Sequence, residues 1–215
     1  MTLETMLSLM SEGMIKTCGI FILTLLGAMP LGLIVALLKK SRFIVVRGIV
    51  SAYISVMRGT PLMLQLLAWY FGPYYLFRLE IGGWRYPALI LGFVLNYAAY
   101  FSEIYRGGIE SIPVGQYEAA EVLGYTRVQT FIHVVLPQVI KRIMPPVTNE
   151  VITLVKDTSL AFSISYVELF SQAKQISSSH TTFMPFVIAG VFYFVANYIV
   201  AFIMGRIEKR LDYYK

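Results

Sequence analysis

The segment from Thr17 to Leu38 contains 22 residues and no charged side chain. A helix needs about 20 apolar residues to cross the hydrocarbon core of a bilayer, so this segment is long enough to span it. The chain is 57% hydrophobic and only 14% charged, whereas soluble domains carry about 25% charged residues. The first fifteen residues contain two acidic residues and no basic one, which does not fit a cleaved signal peptide. We therefore expect a membrane protein that retains its first span.

Other apolar segments predict four further spans. They cover roughly Pro61 to Phe77, Pro87 to Tyr105, Pro145 to Tyr166 and Phe183 to Gly205. The stretch 48–60 predicts an interfacial or gate-forming helix that leads into a helix start at Thr60-Pro61. Aromatic residues typical of interfacial belts are Trp69, Tyr70, Trp84, Tyr213 and Tyr214. The expected fold is all-α and polytopic, with about five transmembrane helices in a single domain over residues 1–215.

Basic residues are distributed unequally between the two sides of these predicted spans. One side holds Lys39, Lys40, Arg42, Arg47, Arg106, Arg127, Lys141, Arg142, Arg206, Lys209, Arg210 and Lys215. The other side holds Lys16, Arg78, Arg85 and Lys174. The positive-inside rule therefore places the N-terminus outside and the C-terminus in the cytoplasm. The net charge of +6 is then explained by topology and anionic lipid, and no nucleic-acid partner is expected.

Several chemical functions are not supported by the residues present. Cys18 is the only cysteine, and the two histidines, His133 and His180, fall on opposite predicted sides of the membrane, so no metal site is expected. The chain contains neither a Gly-rich loop that ends in Gly-Lys-Ser or Gly-Lys-Thr nor a Gly-x-Ser-x-Gly element. We expect a chain that is not an enzyme, carries no cofactor and depends on another polypeptide for energy.

A polar segment at about 113–137 lies on the predicted cytoplasmic side. Pro113 and Gly124 are typical of the start and the end of a helix, which gives a helix of about two turns with Glu118 near its positive dipole end. Ala119 and Ala120 would let a partner approach the backbone, and the acids Glu118 and Glu121 can pair with basic groups on that partner. An ordinary amphipathic surface helix is the alternative.

The spacing Glu118-Ala119-Ala120, Gly124, Val134, Leu136-Pro137 resembles the cytoplasmic coupling loop of ATP-binding-cassette (ABC) importer permeases. Val134 stands where isoleucine is commoner. The segments 58–66, 100–124 and 136–160 resemble the polar amino acid uptake branch of these permeases. The resemblance covers most of the chain, since the number and order of the predicted spans also fit that branch.

The resemblance implies the type I ABC importer permease fold in a bacterial cell membrane. Two permease chains, identical or paralogous, would enclose a path that works by alternating access. Separate ATPase subunits, which bind ATP and Mg²⁺, would dock on the coupling loops, and an extracellular or lipid-anchored binding protein would deliver an amino acid. The alternative function is a channel or membrane anchor subunit that is not energised by ATP, which would leave the coupling loop unexplained.

Ionisable residues inside predicted spans are costly, usually face a protein interior or an aqueous path, and are therefore candidate substrate contacts. Helical spacing puts Asn96, Tyr100 and Glu103 on one face of the third span and Glu150, Thr153 and Asp157 on one face of the fourth. Thr158, Ser159 and Gln65 could add neutral hydrogen-bonding groups. Since every amino acid carries an ammonium group, the acids predict a polar amino acid as cargo, with arginine, lysine or histidine as candidates and with Asp157 and Glu103 as the acidic contacts.

Each acid also has a purely structural interpretation. Glu103 can pair with Arg106 one turn away, and Asp157 or Glu150 can neutralise Lys156 or Arg58. Arg58 itself either extends to the cytoplasmic interface or pairs with an acid as part of an inner gate.

Overall fold

A computed structural model describes residues 2–211 of the protein. Lys215 of the cytoplasmic basic set and the aromatic residues Tyr213 and Tyr214 lie outside the described residues. The helices are α1 (Leu3–Lys39), α2 (Ile44–Gly59), α3 (Leu62–Phe77), α4 (Arg85–Glu110), α5 (Val114–Val122), α6 (Arg127–Gln129), α7 (Leu136–Asp157), α8 (Leu169–His180) and α9 (Met184–Leu211). A π-helix (Thr130–Val135) precedes α7 and a 3₁₀-helix (Thr158–Ile164) follows it. The described residues contain no strand, so the all-α prediction is confirmed.

The first helix is longer than the predicted span. At 37 residues, α1 is about 55 Å long, whereas the hydrocarbon core is about 30 Å thick. Its second half lies against α4, and small residues allow the close approach: a Cβ added to Gly32 would lie 2.8 Å from the Phe101 Cβ and 3.0 Å from the Ala98 carbonyl oxygen. The first half extends past the start of α4, because Gly19 already lies beside Tyr86.

Two helices, α2 and α3, together make the second pass of the chain through the bundle. In α2, Val50 and Ile54 pack with Ala99 in the C-terminal half of α4, whereas in α3 the Trp69 carbonyl accepts a hydrogen bond from Trp84 at the N-terminal end of α4, at 3.0 Å. Residues 44–77 therefore lie along α4 from its start to about Glu103. The prediction of a helix near 48–60 is confirmed, but the predicted span from Pro61 covers only the second half of this pass.

The fourth pass starts earlier than predicted. Helix α7 begins at Leu136, nine residues before the predicted Pro145, and continues through Pro145 and Pro146 to Asp157. Leu136 and Pro137 are therefore the first turn of α7, which continues directly from the π-helix: the Leu136 N–H donates to the Phe131 carbonyl.

Three helices in the described range, α1, α4 and α9, are long and apolar enough to cross a membrane by length and composition alone. The remaining two predicted spans correspond to α3, which has only 16 residues, and to α7, which carries Glu150, Lys156 and Asp157. Both lie against α4 for part of its length, so tertiary contacts supplement their hydropathy. Most apolar side chains of α9 are uncovered in the single chain.

A short helix, α8, closes the end of the bundle that holds the N-terminal half of α1. The Glu168 carboxylate is fully buried and caps α8 by accepting hydrogen bonds from the backbone N–H groups of Phe170 and Ser171, both at 2.8 Å. It also accepts a hydrogen bond at 3.0 Å from the Tyr193 hydroxyl of α9. On the other side, Gly13 of α1 touches the Leu169 backbone. The N-terminal half of α1 therefore packs against α8.

Candidate translocation path and coupling loop

The second pass breaks in the middle of the bundle at Thr60-Pro61. Proline lacks an N–H and disfavours helical geometry in the residue before it, and Thr60 is accordingly extended, with φ −123° and ψ 149°. Carbonyl groups at the end of α2 thus lose their helical partners. The Gln65 side-chain amide lies 2.9 Å from the Met57 oxygen and 3.1 Å from the Thr60 oxygen, and the Asn96 amide donates to the Met57 oxygen at 3.0 Å.

Asn96 and Gln65 are therefore used by the fold at this break. Their side chains are buried and joined to each other by a 2.9 Å hydrogen bond from Asn96 Nδ2 to Gln65 Oε1. In a membrane, irregular backbone is tolerated only where protein groups or a water-filled cavity satisfy it. The two amides meet that requirement, and their direct contact with cargo stays a prediction.

Asp157 lies at the same depth, halfway along α4. It is the last residue of α7, and its Oδ2 accepts a hydrogen bond of 2.7 Å from the Tyr97 hydroxyl. Tyr97 is almost completely buried. Tyr97 was not predicted as a site residue because the predicted polar face consists of Asn96, Tyr100 and Glu103. The spacing of three residues between Tyr97 and Tyr100 would have indicated that Tyr97 lies close to that face. No ion pair joins Asp157 to a cation within 4.0 Å among residues 2–211.

Glu150 and Thr153 lie on the same face of α7 as Asp157, as their spacing predicts, and both are half-buried. In the described part of the chain, Glu150 forms no hydrogen bond and no ion pair within 4.0 Å. The face therefore presents two acidic side chains whose charges are not directly paired.

The two hydroxyl groups that follow α7 bond to the backbone. Thr158 Oγ1 donates to the Val155 carbonyl at 2.7 Å, and Ser159 Oγ donates to the Lys156 carbonyl at 2.8 Å. These bonds satisfy carbonyls at the C-terminus of α7. Substrate contact by either hydroxyl remains untested.

Glu103 has three basic neighbours. Its oxygens lie 2.6 Å from Lys39 Nζ of α1, 2.7 Å from Arg106 Nη2 and 3.8 Å from Arg58 Nη1 of α2. The predicted alternative pairing with Arg106 is therefore present, and Lys39 is a partner that the sequence did not reveal. The carboxylate joins the C-terminal parts of α1 and α4 to the end of α2.

Arg58 does not extend freely into solvent. Besides its contact with Glu103, its guanidinium lies 5.4 Å from the centroid of the Tyr100 ring, a distance typical of a cation–π contact. The pairing of Arg58 with an acid is therefore present, and its role in an inner gate stays a prediction.

The coupling segment folds largely as its motif predicts. Helix α5 starts after Pro113, which has φ −58°, and ends before Gly124, which has φ +80°. Glycine adopts this left-handed conformation without a steric penalty. One prediction is wrong: Glu118 is the fifth of nine helical residues and does not lie near the positive dipole end.

The two alanines of the motif face different ways. Ala119 is exposed, but Ala120 is only 3% exposed and lies beneath α5. The expectation that a partner approaches the backbone over both alanines is therefore wrong for Ala120, which lets α5 pack on its own loop. The acids Glu118 and Glu121 are exposed and free to meet a partner.

An apolar tip adjoins this helix. Val122 and Leu123 are 88% and 76% exposed. Exposed apolar clusters in an aqueous region mark interaction sites. Sequence reasoning missed this pair, and its only signal was two adjacent apolar residues directly before Gly124.

Comparison with known proteins relates this chain to membrane components of transport systems. Residues 28–213 match the family described as "Binding-protein-dependent transport system inner membrane component". The chain is 36% identical over 209 residues to the L-cystine transport system permease protein TcyB of Bacillus subtilis (strain 168), which covers 96% of this chain and 88% of that protein. It is also 36% identical to the arginine transport system permease protein ArtQ of the same organism, over 93% of this chain and 91% of that one.

Solved structures agree with this assignment. The fold is similar to a chain in the crystal structure of an amino acid ABC transporter with histidines, with a TM-score of 0.87, 33% identity and coverage of 98% of this chain and 99% of that chain. An inward-facing MetNI methionine ABC transporter gives a TM-score of 0.75 at 19% identity, with the same coverage, which supports the fold alone. The chain therefore belongs to the family of inner membrane components of binding-protein-dependent transport systems, as a multi-pass permease subunit and not as an enzyme.

Proposed function

We propose that this permease imports a polar amino acid, with basic amino acids favoured. The observation that carries the proposal is the pair of unneutralised acids, Asp157 and Glu150, on one face of α7 in the middle of the bundle. Carboxylates at membrane depth usually face an aqueous path. The names of similar proteins, which include permeases for arginine, L-cystine and glutamine, support an amino acid as cargo.

In this proposal Asp157 and Glu150 bind the cationic groups of the cargo, and Tyr100 and Thr153 border them. Asn96 and Gln65 hold the adjacent helix break, while Thr158 and Ser159 hold the end of α7. Glu103 already has three basic neighbours, so its predicted cargo contact has the least support of the three acids.

The remaining parts of the transporter lie on other chains. A second permease chain, identical or paralogous, completes the path, and an extracellular or lipid-anchored binding protein delivers the amino acid. ATPase subunits that hold ATP and Mg²⁺ dock on Glu118, Ala119, Glu121 and the adjoining loop, and this chain itself carries no cofactor. Closure of the ATPases moves the two α5 helices together and opens the path to the outside. Release of ADP and phosphate then lets the path open to the inside again.

Uptake by the reconstituted complex tests this function. Proteoliposomes that contain the permease with its co-purifying ATPase, supplied with the binding protein on the opposite face, should accumulate labelled L-arginine only when ATP is present on the ATPase side. L-Glutamine should be taken up more slowly because it lacks the side-chain cation. Equal uptake without ATP would instead indicate a channel, and a permease that brings down no ATPase would indicate a membrane anchor.

The proposed orientation can be tested with single cysteines. In a Cys18→Ser background, Lys174→Cys on α8 should react with a membrane-impermeant maleimide in intact cells whose outer layers are open to the reagent. Glu118→Cys on α5 should react only after permeabilisation, since both positions are exposed but lie at opposite ends of the bundle. Cys18→Ser alone serves as the unlabelled control. The reverse labelling order would invert the topology.

A further inference from the structure

Arg85 is the first residue of α4 and lies at the end of the bundle opposite the coupling helix α5. Among residues 2–211, no carboxylate oxygen lies within 4.0 Å of its guanidinium nitrogens. The first turn of a helix is also an unfavourable place for a cation, because the positive end of the helix dipole is there. Helix stability therefore does not explain this charge, and no described acid neutralises it.

The guanidinium donates only to neutral oxygens. Its Nε and Nη2 lie 3.4 Å and 3.3 Å from the Tyr70 hydroxyl, and its Nη1 lies 3.3 Å from the Ser165 carbonyl oxygen. The Tyr70 ring centroid is 5.5 Å from the Arg85 Cζ, and Tyr70 itself is buried. These bonds hold the side chain in place but use three of its five N–H donors. One donor on each terminal nitrogen is left for a ligand.

The guanidinium borders a surface cavity of about 460 Å³, a volume within the range of small-molecule sites, about 300–1,000 Å³. The lining includes Tyr70, Tyr86, Tyr166, Gly82 and Gly83. A Cβ added to either glycine would meet no described atom within 4 Å. No described side chain therefore packs against this part of the lining.

Two tyrosine rings lie next to this charge. Tyr86 and Tyr166 are stacked, with ring centroids 5.4 Å apart and planes inclined by 26°. The face of an aromatic ring attracts an ammonium group, whereas a guanidinium binds a carboxylate through two parallel N–H bonds. The cavity thus offers one group for a carboxylate and an adjacent group for an ammonium, which are the two charges of every α-amino acid.

We propose that Arg85 and the Tyr86–Tyr166 stack form an entry site for the amino acid cargo. Arg85 binds the α-carboxylate, and the ring faces bind the α-ammonium. This site accepts amino acids as a class, since it does not depend on the side chain. Tyr97, the hydrogen-bond donor to Asp157, lies twelve residues later in α4, about 18 Å along the helix. The cargo therefore meets the entry site and the acids of α7 in succession. This inference rests on the proposed function and orientation and adds the first site on the path.

The test measures binding of L-arginine and of L-argininamide, which has no carboxylate, to the permease–ATPase complex in lipid nanodiscs without binding protein. Both tryptophans of the chain report on this region: Trp84 directly precedes Arg85 and donates to the carbonyl of Trp69. After subtraction of the signal of the ATPase alone, L-arginine should change the fluorescence saturably. L-Argininamide should bind about fivefold more weakly or worse, because the guanidinium loses its charged partner.

Arg85→Gln should lower the affinity for L-arginine to that for L-argininamide and leave the affinity for L-argininamide within about twofold of the native value. A merely structural role would weaken both ligands alike. Arg78→Gln is the matched control, because Arg78 is an exposed arginine of the same loop between α3 and α4; it should leave both affinities unchanged. Equal native affinities for the two ligands would overturn the proposal even if Arg85→Gln failed to assemble.

Two other outcomes separate this site from its alternatives. If Arg85→Gln binds L-arginine like the native complex but loses stimulation of its ATPase by the binding protein, Arg85 meets an acid of that protein and the entry site is refuted. If the native complex takes up L-arginine with ATP but its binding shows no dependence on the carboxylate, only the entry site fails. A native complex that takes up neither L-arginine nor L-glutamine would refute the proposed function itself.

Discussion

Replacing Ala120 by leucine is expected to release the ATPase subunits from the assembled transporter. Ala120 is 3% exposed beneath α5, and its carbonyl accepts the backbone N–H of Tyr125 at 3.0 Å. Three additional carbon atoms do not fit there, and overpacking of a filled site shifts backbone or side chains. The shift would move Glu118 and the exposed tip at Val122 and Leu123 away from their docking position.

The measurement is the ratio of ATPase to permease after affinity purification in mild detergent, which should fall by about tenfold or more. Ala201→Leu is the control, because Ala201 lies on the exposed surface of α9 and the chemical change is the same. Full retention of ATPase by the Ala120 variant, with α5 still helical, would show that the packing beneath this helix is not needed for docking.

Replacing Asp157 by asparagine should lower kcat/KM for L-arginine roughly ten- to hundredfold. The reason is the loss of one charged partner for the cargo, since a hydrogen bond to a charged group contributes about 1.5–3 kcal/mol. Asparagine has nearly the same shape, and its amide oxygen can still accept the Tyr97 hydroxyl, which now donates at 2.7 Å. The bundle should therefore remain assembled with its ATPase.

Two further variants serve as comparisons for Asp157→Asn. Glu12→Gln removes an acid on the exposed surface of α1 and should leave uptake unchanged. Tyr97→Phe keeps the carboxylate but removes its donor, so it should have a smaller effect than Asp157→Asn. If Asp157→Asn transports arginine at the native rate and KM, Asp157 has no role in binding cargo.

The coupling helix could be predicted from sequence because its limits depend on local backbone chemistry. Pro113 favours the start of a helix, and Gly124 takes a left-handed conformation that other residues rarely adopt. Apolar length likewise predicted α1, α4 and α9, although the end positions differ because helix packing extends beyond the membrane-spanning part.

The second pass could not be predicted as a whole, because hydropathy alone does not identify its first half, α2. Helix α2 contains Arg47 and Arg58 and packs against α1 and α4. Its broken end depends on Asn96, 39 positions after Met57. The same reason applies to Glu103, whose partner Lys39 is 64 positions away: long-range pairs of this kind have no signature in a single sequence.

The buried position of Ala120 could not be predicted for a different reason. Glu-Ala-Ala predicts small residues on a helix but does not say which side of the helix is covered. Which side is covered depends on the π-helix (Thr130–Val135), and the contact between this element and α5 appears only in three dimensions.

The buried cap of α8 has a consequence for biogenesis. Glu168 receives one of its hydrogen bonds from Tyr193, which the ribosome makes after α8 and which must enter the bilayer with α9. Until α9 packs against α8, the carboxylate lacks this donor. The cap of α8 is therefore completed only after the last helix of the chain has been inserted.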